Sequence, residues 1–359
     1  MGPPNRITSR PRLCFLGPMI GRNPGFVVTQ GERLSVHFLQ EGYSVIASSA
    51  SANRYRRLLD MIVTLLREYR RIDVVIIHVY GGRSFLVEDI VSWMARRLNC
   101  RIIMSLHGGA MPEFMASFPR WSARVLRRAH AMSAPSEYLA RAARSRGFGC
   151  QVIPNVVDVR QYPYRLRRQV RPRLFWLRTF HDVYNPFLAI RVLARLRESH
   201  PDATLVMAGQ DKGLQAATER LARALGLDGA VRFPGFLSME GKTREGNEAD
   251  IFINTSRIDN MPVTIVEACA MGLPVVSAGV GGILDLLRHE HTGLLVPDDN
   301  VEAMLAAILR LLNEPALTEL LSVNARRLAE QSEWERVGPQ WEHLFVRVLA
   351  PQRPPGRRS

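Results

Sequence analysis

The chain has 359 residues and carries a formal net charge of +15, with 47% hydrophobic and 23% charged residues. That mixture belongs to an ordinary globular protein of about two domains, and it excludes a wholly disordered chain, a collagen-like fibre and a disulfide-built mini-domain. No stretch approaches the roughly 18 uninterrupted apolar residues of a spanning helix, and Met1–Arg12 offers no apolar core for a secretory signal. The cysteines Cys14, Cys100, Cys150 and Cys269 lack metal-ligand or scaffold spacing and read as core thiols of a reducing compartment.

The elements alternate along the chain. Strands are expected at 12–16, 43–48, 72–78, 101–106, 131–134 and 151–153. Helices are expected at 32–41 and 87–98, and a Gly/Pro-rich loop runs from Gly17 to Gly31. After a pause, strands are expected at 174–177, 203–207, 231–233, 250–254 and 274–277. The helices of this half are placed at 186–199, 215–225, 262–271 and near 301–313. Nearly unbroken apolar strands separated by helices predict parallel sheets covered on both faces. The fold class is therefore α/β, with two Rossmann-like doubly wound units. The first spans 1–158 and the second 174–332. The Arg/Pro/Tyr-rich stretch 159–173 is expected as linker, the helix at 333–350 as returning to the first unit, and 351–359 as a mobile tail.

Charge divides the chain at the same place. Residues 1–173 hold 28 basic and 10 acidic groups, a net of +18, whereas 174–359 hold 20 and 23, a net of −3. The basic residues are arginines apart from Lys212 and Lys242. A half this basic draws anions: nucleic acid, anionic lipid or phosphorylated substrate. Arg54–Arg71, RYRRLLDMIVTLLREYRR, sets Leu58, Leu59, Met61, Ile62, Leu65 and Leu66 at helical spacing between arginines. It reads as a core-packing amphipathic helix with a basic rim, or as a helix at an anionic membrane surface. Arg120–Arg128 adds a second basic cluster.

The chemistry concentrates in Asp250–Gly282, DIFINTSRIDNMPVTIVEACAMGLPVVSAGVGG. A strand ends in a polar loop and a helix starts at Pro262, which suits a first helical turn, with Asp259 or Asn260 as the expected cap. The first-turn N–H groups of Met261, Val263 and Thr264 then make a phosphate seat. Glu267 is the lone acid of an apolar helix, and a buried carboxylate needs partners. Two vicinal ribose hydroxyls, or backbone donors, would serve.

Asp259-x7-Glu267, with Ala268, Met271-Gly272-x-Pro274-Val275-Val276 and Gly281-Gly282, resembles the EX7E signature of the retaining glycosyltransferases of family 4. Ser105-Leu106-His107-Gly108-Gly109, Ser136-Glu137, Ile153-Pro154-Asn155-Val156-Val157-Asp158 and His291-Thr292-Gly293-Leu294-Leu295-Val296-Pro297 resemble further segments of that family in the same order. The resemblance implies the GT-B fold, two such domains facing each other across a cleft. It implies that Asp259 meets the transferred sugar, although it is one methylene shorter than the usual glutamate, and that Glu267 meets the nucleotide ribose. It gives Arg178 the donor diphosphate, places Asn185 where the family has a lysine, and leaves Lys212 as a compensating cation. It sets Gly235 and Phe236 beside the base, His107 against the reacting sugar, and the loop bearing Gly25 and Gly31 on the acceptor side.

The implied activity is a metal-independent transfer of a sugar, with retention, from a nucleotide diphosphate sugar to an acceptor hydroxyl. No permanently bound cofactor is expected, and Asp298-Asp299 reads as a turn before the helix at Val301. The acceptor is expected to be a glycan or lipid-linked sugar of the cell envelope, met in the cytoplasm or on the inner face of the membrane. The partners are the nucleotide sugar, the acceptor and an anionic membrane surface, with no specific nucleic acid. Two other classes fit parts of the pattern. One is a nucleotide-sugar enzyme of this fold that is not a transferase, epimerase-like or phosphorylase-like. The other is a basic nucleic-acid-binding protein, although no nucleic-acid motif is present. A catalytically silent member of the family fits as well, given Asp259 and Asn185.

Overall fold

The computed structural model describes residues 10–350 except 22 and 24; the expected tail 351–359 and most of Met1–Arg12 lie outside them. The chain divides into two compact units. Among the described residues, one contains 10–135, 139–153 and 335–350; the other contains 136–138 and 154–334.

The first unit is built on β1 (Leu13–Leu16), β2 (Val45–Ser48), β3 (Val74–Val79), β4 (Arg101–Leu106), β5 (Ala131–Ala134) and β6 (Gln151–Val152). They form one sheet in the order β2-β1-β3-β4-β5-β6, parallel throughout, with Leu13 opposite both Val45 and Val74. Every residue of β1 and β3 is buried, because helices cover the sheet and both side-chain directions must be apolar. The helix Trp334–Leu349 packs in this unit. Phe345 lies 5.2 Å from Phe38, and the Tyr43 hydroxyl donates to Glu342 at 2.7 Å.

The second unit repeats the plan with β7 (Arg173–Leu177), β8 (Thr204–Ala208), β9 (Val231–Gly235), β10 (Ile251–Asn254), β11 (Val275–Ala278) and β12 (Leu294–Val296). Their order is β12-β11-β10-β7-β8-β9, again all parallel. Side chains alternate between two cores. Leu174, Trp176, Ile251 and Ile253 enter one, and Phe175, Leu177, Phe252 and Val275 enter the other. This is the two-residue period of a strand buried on both faces.

Several elements depart from the expected set. Helices also occupy Met111–Ser117, Pro119–Leu126, Glu137–Arg144, Met239–Glu248 and Pro315–Ala329, and β12 is a three-residue strand. Residues 159–173, expected as a linker, include a turn at Val159–Gln161 and the buried Arg167. Its guanidinium donates to Gly246 O at 2.8 Å and to the carbonyl of Met271. Asp259 and Asn260 do not cap the helix that follows them. It runs Val263–Ala270 with Pro262 at the cap position and no side-chain cap. Among the described residues no helix is long and apolar enough to cross a membrane. The four cysteines are buried and free, and burial pushes the thiols of Cys14 and Cys269 up to about 12.

Candidate donor site in the second unit

The chain leaves β7 for β8 and β9 on one side and returns to β10 on the other, so the carboxyl ends of β7 and β10 flank a topological switch point. Crevices of this kind take ligands in open α/β sheets. Arg178 follows β7 and the loop 255–262 follows β10. Polar groups at the strand ends tie that loop down. Trp176 Nε1 donates to Thr255 Oγ1 at 2.8 Å, and Thr255 Oγ1 donates to Tyr184 O at 2.7 Å. Asn254 Nδ2 reaches Ser277 Oγ at 3.0 Å, and Ser256 Oγ reaches Asn254 Oδ1 at 2.9 Å.

Glycine lets the backbone close around these groups. A Cβ at Gly282 would lie 2.1 Å from Asn260 O, and Gly281, at φ +51°, approaches Asp259 O as closely. Only residues without a side chain allow that contact.

Arg178 is the hub. It forms an ion pair with Asp259, donates through Nη1 to Thr264 Oγ1 at 3.3 Å and stacks on Tyr184 at 4.3 Å. Its Nε is buried with no partner. Burial pulls the guanidinium below its ordinary range, and Tyr184 opposes that shift. Asp259 Oδ1 accepts the N–H of Asn260 at 2.9 Å, which leaves its other oxygen to Arg178. Asn260 takes the Ser136 hydroxyl on Oδ1, and Asn155 Nδ2 donates to Met261 O at 3.2 Å.

Glu267 is 1% exposed. Lys242 Nζ reaches both of its oxygens at 3.1 Å. Lys242 comes from the helix Met239–Glu248, and the sequence reading missed it. The signal was a second lysine in a chain otherwise basic through arginine, placed where only the fold could pair it.

The structure brings together Arg178, Asp259, Thr264 and the uncapped helix start at Val263. Pro262 and Met261 are buried beneath them. Asn185, at φ 44°, donates through Nδ2 to Asp299 Oδ1 at 2.9 Å. Lys212 is exposed in its loop, and its backbone N–H donates to Phe180 O at 3.2 Å. Gly235, at φ +74°, accepts the Gly209 N–H at 2.9 Å, and Phe236 beside it is exposed. Asp299 lies at a turn and also meets Arg257.

The remaining expected residues lie in the first unit. His107 directly follows β4; its Nε2 is 2.9 Å from His78 Nδ1 and 3.1 Å from Ser105 Oγ, and its ring stacks on Tyr80 at 5.3 Å. Burial holds His107 down to about 4, so the imidazole is neutral at pH 7. Gly31 lies in the first turn of the helix Gln30–Gln40, against His78, whereas Gly25 has φ +78° and a Cβ there would meet open space.

Doubly wound parallel sheets in two units with this switch-point site define the class, and the comparisons agree. The structure matches that of Anabaena Alr3699/HepE in complex with UDP and glucose, with TM-score 0.73, 19% identity and coverage of 94% of this chain and 100% of that one. Sucrose-phosphate synthase from Thermosynechococcus elongatus matches with TM-score 0.76, 16% identity and coverage of 95% and 100%. The fold is GT-B.

The chain belongs to the family 4 glycosyltransferases: the profile of glycosyl transferases group 1 matches residues 167–328, and that of Glycosyltransferase Family 4 matches 26–161. A glycogen synthase of Mycobacterium tuberculosis is 28% identical over 221 residues, 58% of this chain and 50% of that protein. A D-inositol 3-phosphate glycosyltransferase of Jonesia denitrificans is 33% identical over 169 residues, 45% of this chain and 40% of that protein. The matches thus span half or less of those relatives.

Proposed function

We propose that the protein transfers a sugar, with retention of anomeric configuration, from a nucleotide diphosphate sugar to an acceptor hydroxyl. The observation that carries this reading is the buried Arg178. It has an unpartnered Nε and is held by Asp259 and Thr264 beside an uncapped helix start. A diphosphate supplies what that set lacks: oxygens for Nε and for the first-turn N–H groups, where the helix dipole favours negative charge. Glu267 then faces the ribose while sharing its charge with Lys242, and Phe236 borders the base. The neighbour bound to UDP and glucose makes uridine diphosphate the first nucleotide to try.

In the reaction the bond between the anomeric carbon and the β-phosphate oxygen breaks as the acceptor oxygen bonds the same face of that carbon. The acceptor proton passes to the departing phosphate oxygen. Charge grows on the leaving diphosphate, where Arg178 and the amides of Val263 and Thr264 are already oriented. Asp259, released from Arg178 as the phosphate arrives, holds a sugar hydroxyl. No metal is assigned a role.

The acceptor is proposed to be a glycan or lipid-linked sugar met at an anionic membrane surface. The helix Arg54–Glu68 supports this by leaving Tyr55, Leu59 and Leu66 exposed among its arginines, a pattern suited to an interface. The deciding experiment screens UDP-, GDP- and ADP-sugars by thermal shift and then measures donor turnover. Arg178→Ala and Glu267→Ala are each expected to lower kcat/KM by about 100-fold or more. Unchanged turnover in both would remove the site assignment.

A further inference from the structure

The amino edge of the first unit's sheet carries a hollow of about 1030 Å³, at the upper end of the roughly 300–1,000 Å³ typical of ligand pockets. Ala131 and Gln151, the first residues of β5 and β6, line it. All strands of this sheet are parallel, so the carboxyl ends, where doubly wound sheets take their substrates, lie at the opposite edge.

The wall of the hollow is basic. Arg127 follows the helix Pro119–Leu126, Arg144 closes the helix Glu137–Arg144, Arg146 lies in the loop that returns to β6, and Arg347 comes from the helix Trp334–Leu349. No aspartate or glutamate is among the described residues that line it.

This charge is uncancelled as well as concentrated. Arg127, Arg146 and Arg347 form no ion pair among the described residues. Arg146 is held by carbonyls, through Nη1 on Ala142 O at 2.8 Å and Nη2 on Pro112 O at 3.4 Å, and these neutral partners leave its charge standing. Arg144 donates through Nε and Nη2 to Cys150 O at 3.0 and 2.7 Å, which ties down the loop carrying Gly147 and Gly149. A Cβ at either glycine would meet open space. His130, in the same lining, accepts the Ile102 N–H on Nδ1 at 2.9 Å, and Arg96 Nη1 stands 2.9 Å from its Nε2. Burial, Arg96 and Arg101 hold this imidazole below its ordinary range, so the charge of the hollow is that of its arginines.

Like charges gathered in one concavity repel each other, and an anion with several negative groups relieves them. Guanidinium forks match phosphate oxygens in pairs. These four come from separate segments around a hollow, not from one helix face, which suits a compact ligand that enters it better than a flat array of headgroups. We infer that the hollow is a binding site for a soluble oligophosphate, a ligand with two or more linked phosphate groups, with Arg127, Arg146 and Arg347 as its principal partners. The site is separate from the donor seat of the second unit and does not rest on the transferase reading.

Calorimetry with inorganic tripolyphosphate and orthophosphate tests it, in saturating UDP and at 0.15 M salt, where the Debye length is about 8 Å and diffuse attraction is screened. Tripolyphosphate is expected to bind wild type about ten-fold or more tightly than orthophosphate. Arg127→Glu with Arg347→Glu, both at exposed positions, should weaken it about 100-fold or more and leave UDP affinity unchanged. Arg220→Glu with Arg223→Glu, exposed on the helix Gln215–Ala224, makes the same change in net charge and should leave tripolyphosphate affinity within about two-fold. The site is overturned if wild type binds no tripolyphosphate, or binds it no better than orthophosphate. It is overturned equally if UDP abolishes the binding, if the first pair of substitutions spares it, or if the second pair weakens it as much. Phosphatidylglycerol vesicles that sediment the protein through Arg127 and Arg347, with no tripolyphosphate bound, would assign these arginines to a membrane and strike the soluble ligand. Tripolyphosphate binding that needs Arg127 and Arg347 in a protein that binds no UDP, GDP or ADP supports the site and strikes the donor reading alone.

Discussion

Lys242 and Glu267 show how much a single buried pair depends on each partner. The carboxylate is 1% exposed and the ammonium spans both oxygens. Removing the lysine would strand a buried charge, at a cost of about 3–5 kcal/mol. Lys242→Met is expected to lower unfolding free energy by that amount in urea, and Lys242→Met with Glu267→Leu to recover much of it. If the double variant were no more stable than the single one, the pair would not be what holds the carboxylate.

Glu88 makes the stability of the first unit depend on pH. Its folded value of about 8 lies above the ordinary 4.5, so the folded state keeps a proton that the unfolded state releases. The stabilisation is fully present below pH 4.5 and is lost as pH rises through about 8. Glu88→Gln should flatten the stability curve over that window, by at most about 1.4 kcal/mol per pH unit. His107 has the opposite sign. Held down to about 4 from 6.5, it lowers stability as pH falls through that interval. His107→Gln should flatten the acid side, read as the difference in unfolding free energy between pH 7 and pH 4.5.

At the scale of elements, apolar strands were legible because burial on both faces writes itself as an unbroken run: IDVVIIH and RIIMSL became β3 and β4. The helix Met239–Glu248 was not legible. Its MEGKTREGNE has two glycines and little apolar period; what makes it helical is Ser238, which accepts the Gly241 N–H at 3.2 Å, and packing that brings Met271 against Gly246. That hidden helix delivers Lys242. The helix Arg54–Glu68 was legible in full, yet its outer face was not. Tyr55, Leu59 and Leu66 are exposed while Met61 and Leu65 are buried. Leu59→Ser with Leu66→Ser is expected to reduce sedimentation with phosphatidylglycerol vesicles several-fold at low salt without changing UDP affinity. Vesicle binding indifferent to both substitutions and to salt would remove the membrane reading.

For the whole molecule, each unit carries its own switch point, and the cationic, uncapped seat lies in the second. UDP at about 100 times its Kd is expected to stabilise the protein by about 2.7 kcal/mol. In hydrogen exchange, added protection should concentrate in residues 176–181 and 255–267. Protection confined to residues 10–135 would overturn the assignment of the donor to the second unit.

The buried strands other than β12, the two-unit plan and the motif around Asp259 and Glu267 were legible in the sequence alone. They follow from local rules: periodicity, apolar runs, glycine and proline placement, and a motif compact in the chain. The tertiary structure decided that Lys242 answers Glu267, that Asn185 turns to Asp299, and that Arg167 is buried rather than part of a linker. It also decided that Glu88 borders a cavity with His78. Those outcomes depend on which elements become neighbours, and burial then sets the charge and the hydrogen-bond partners of each group.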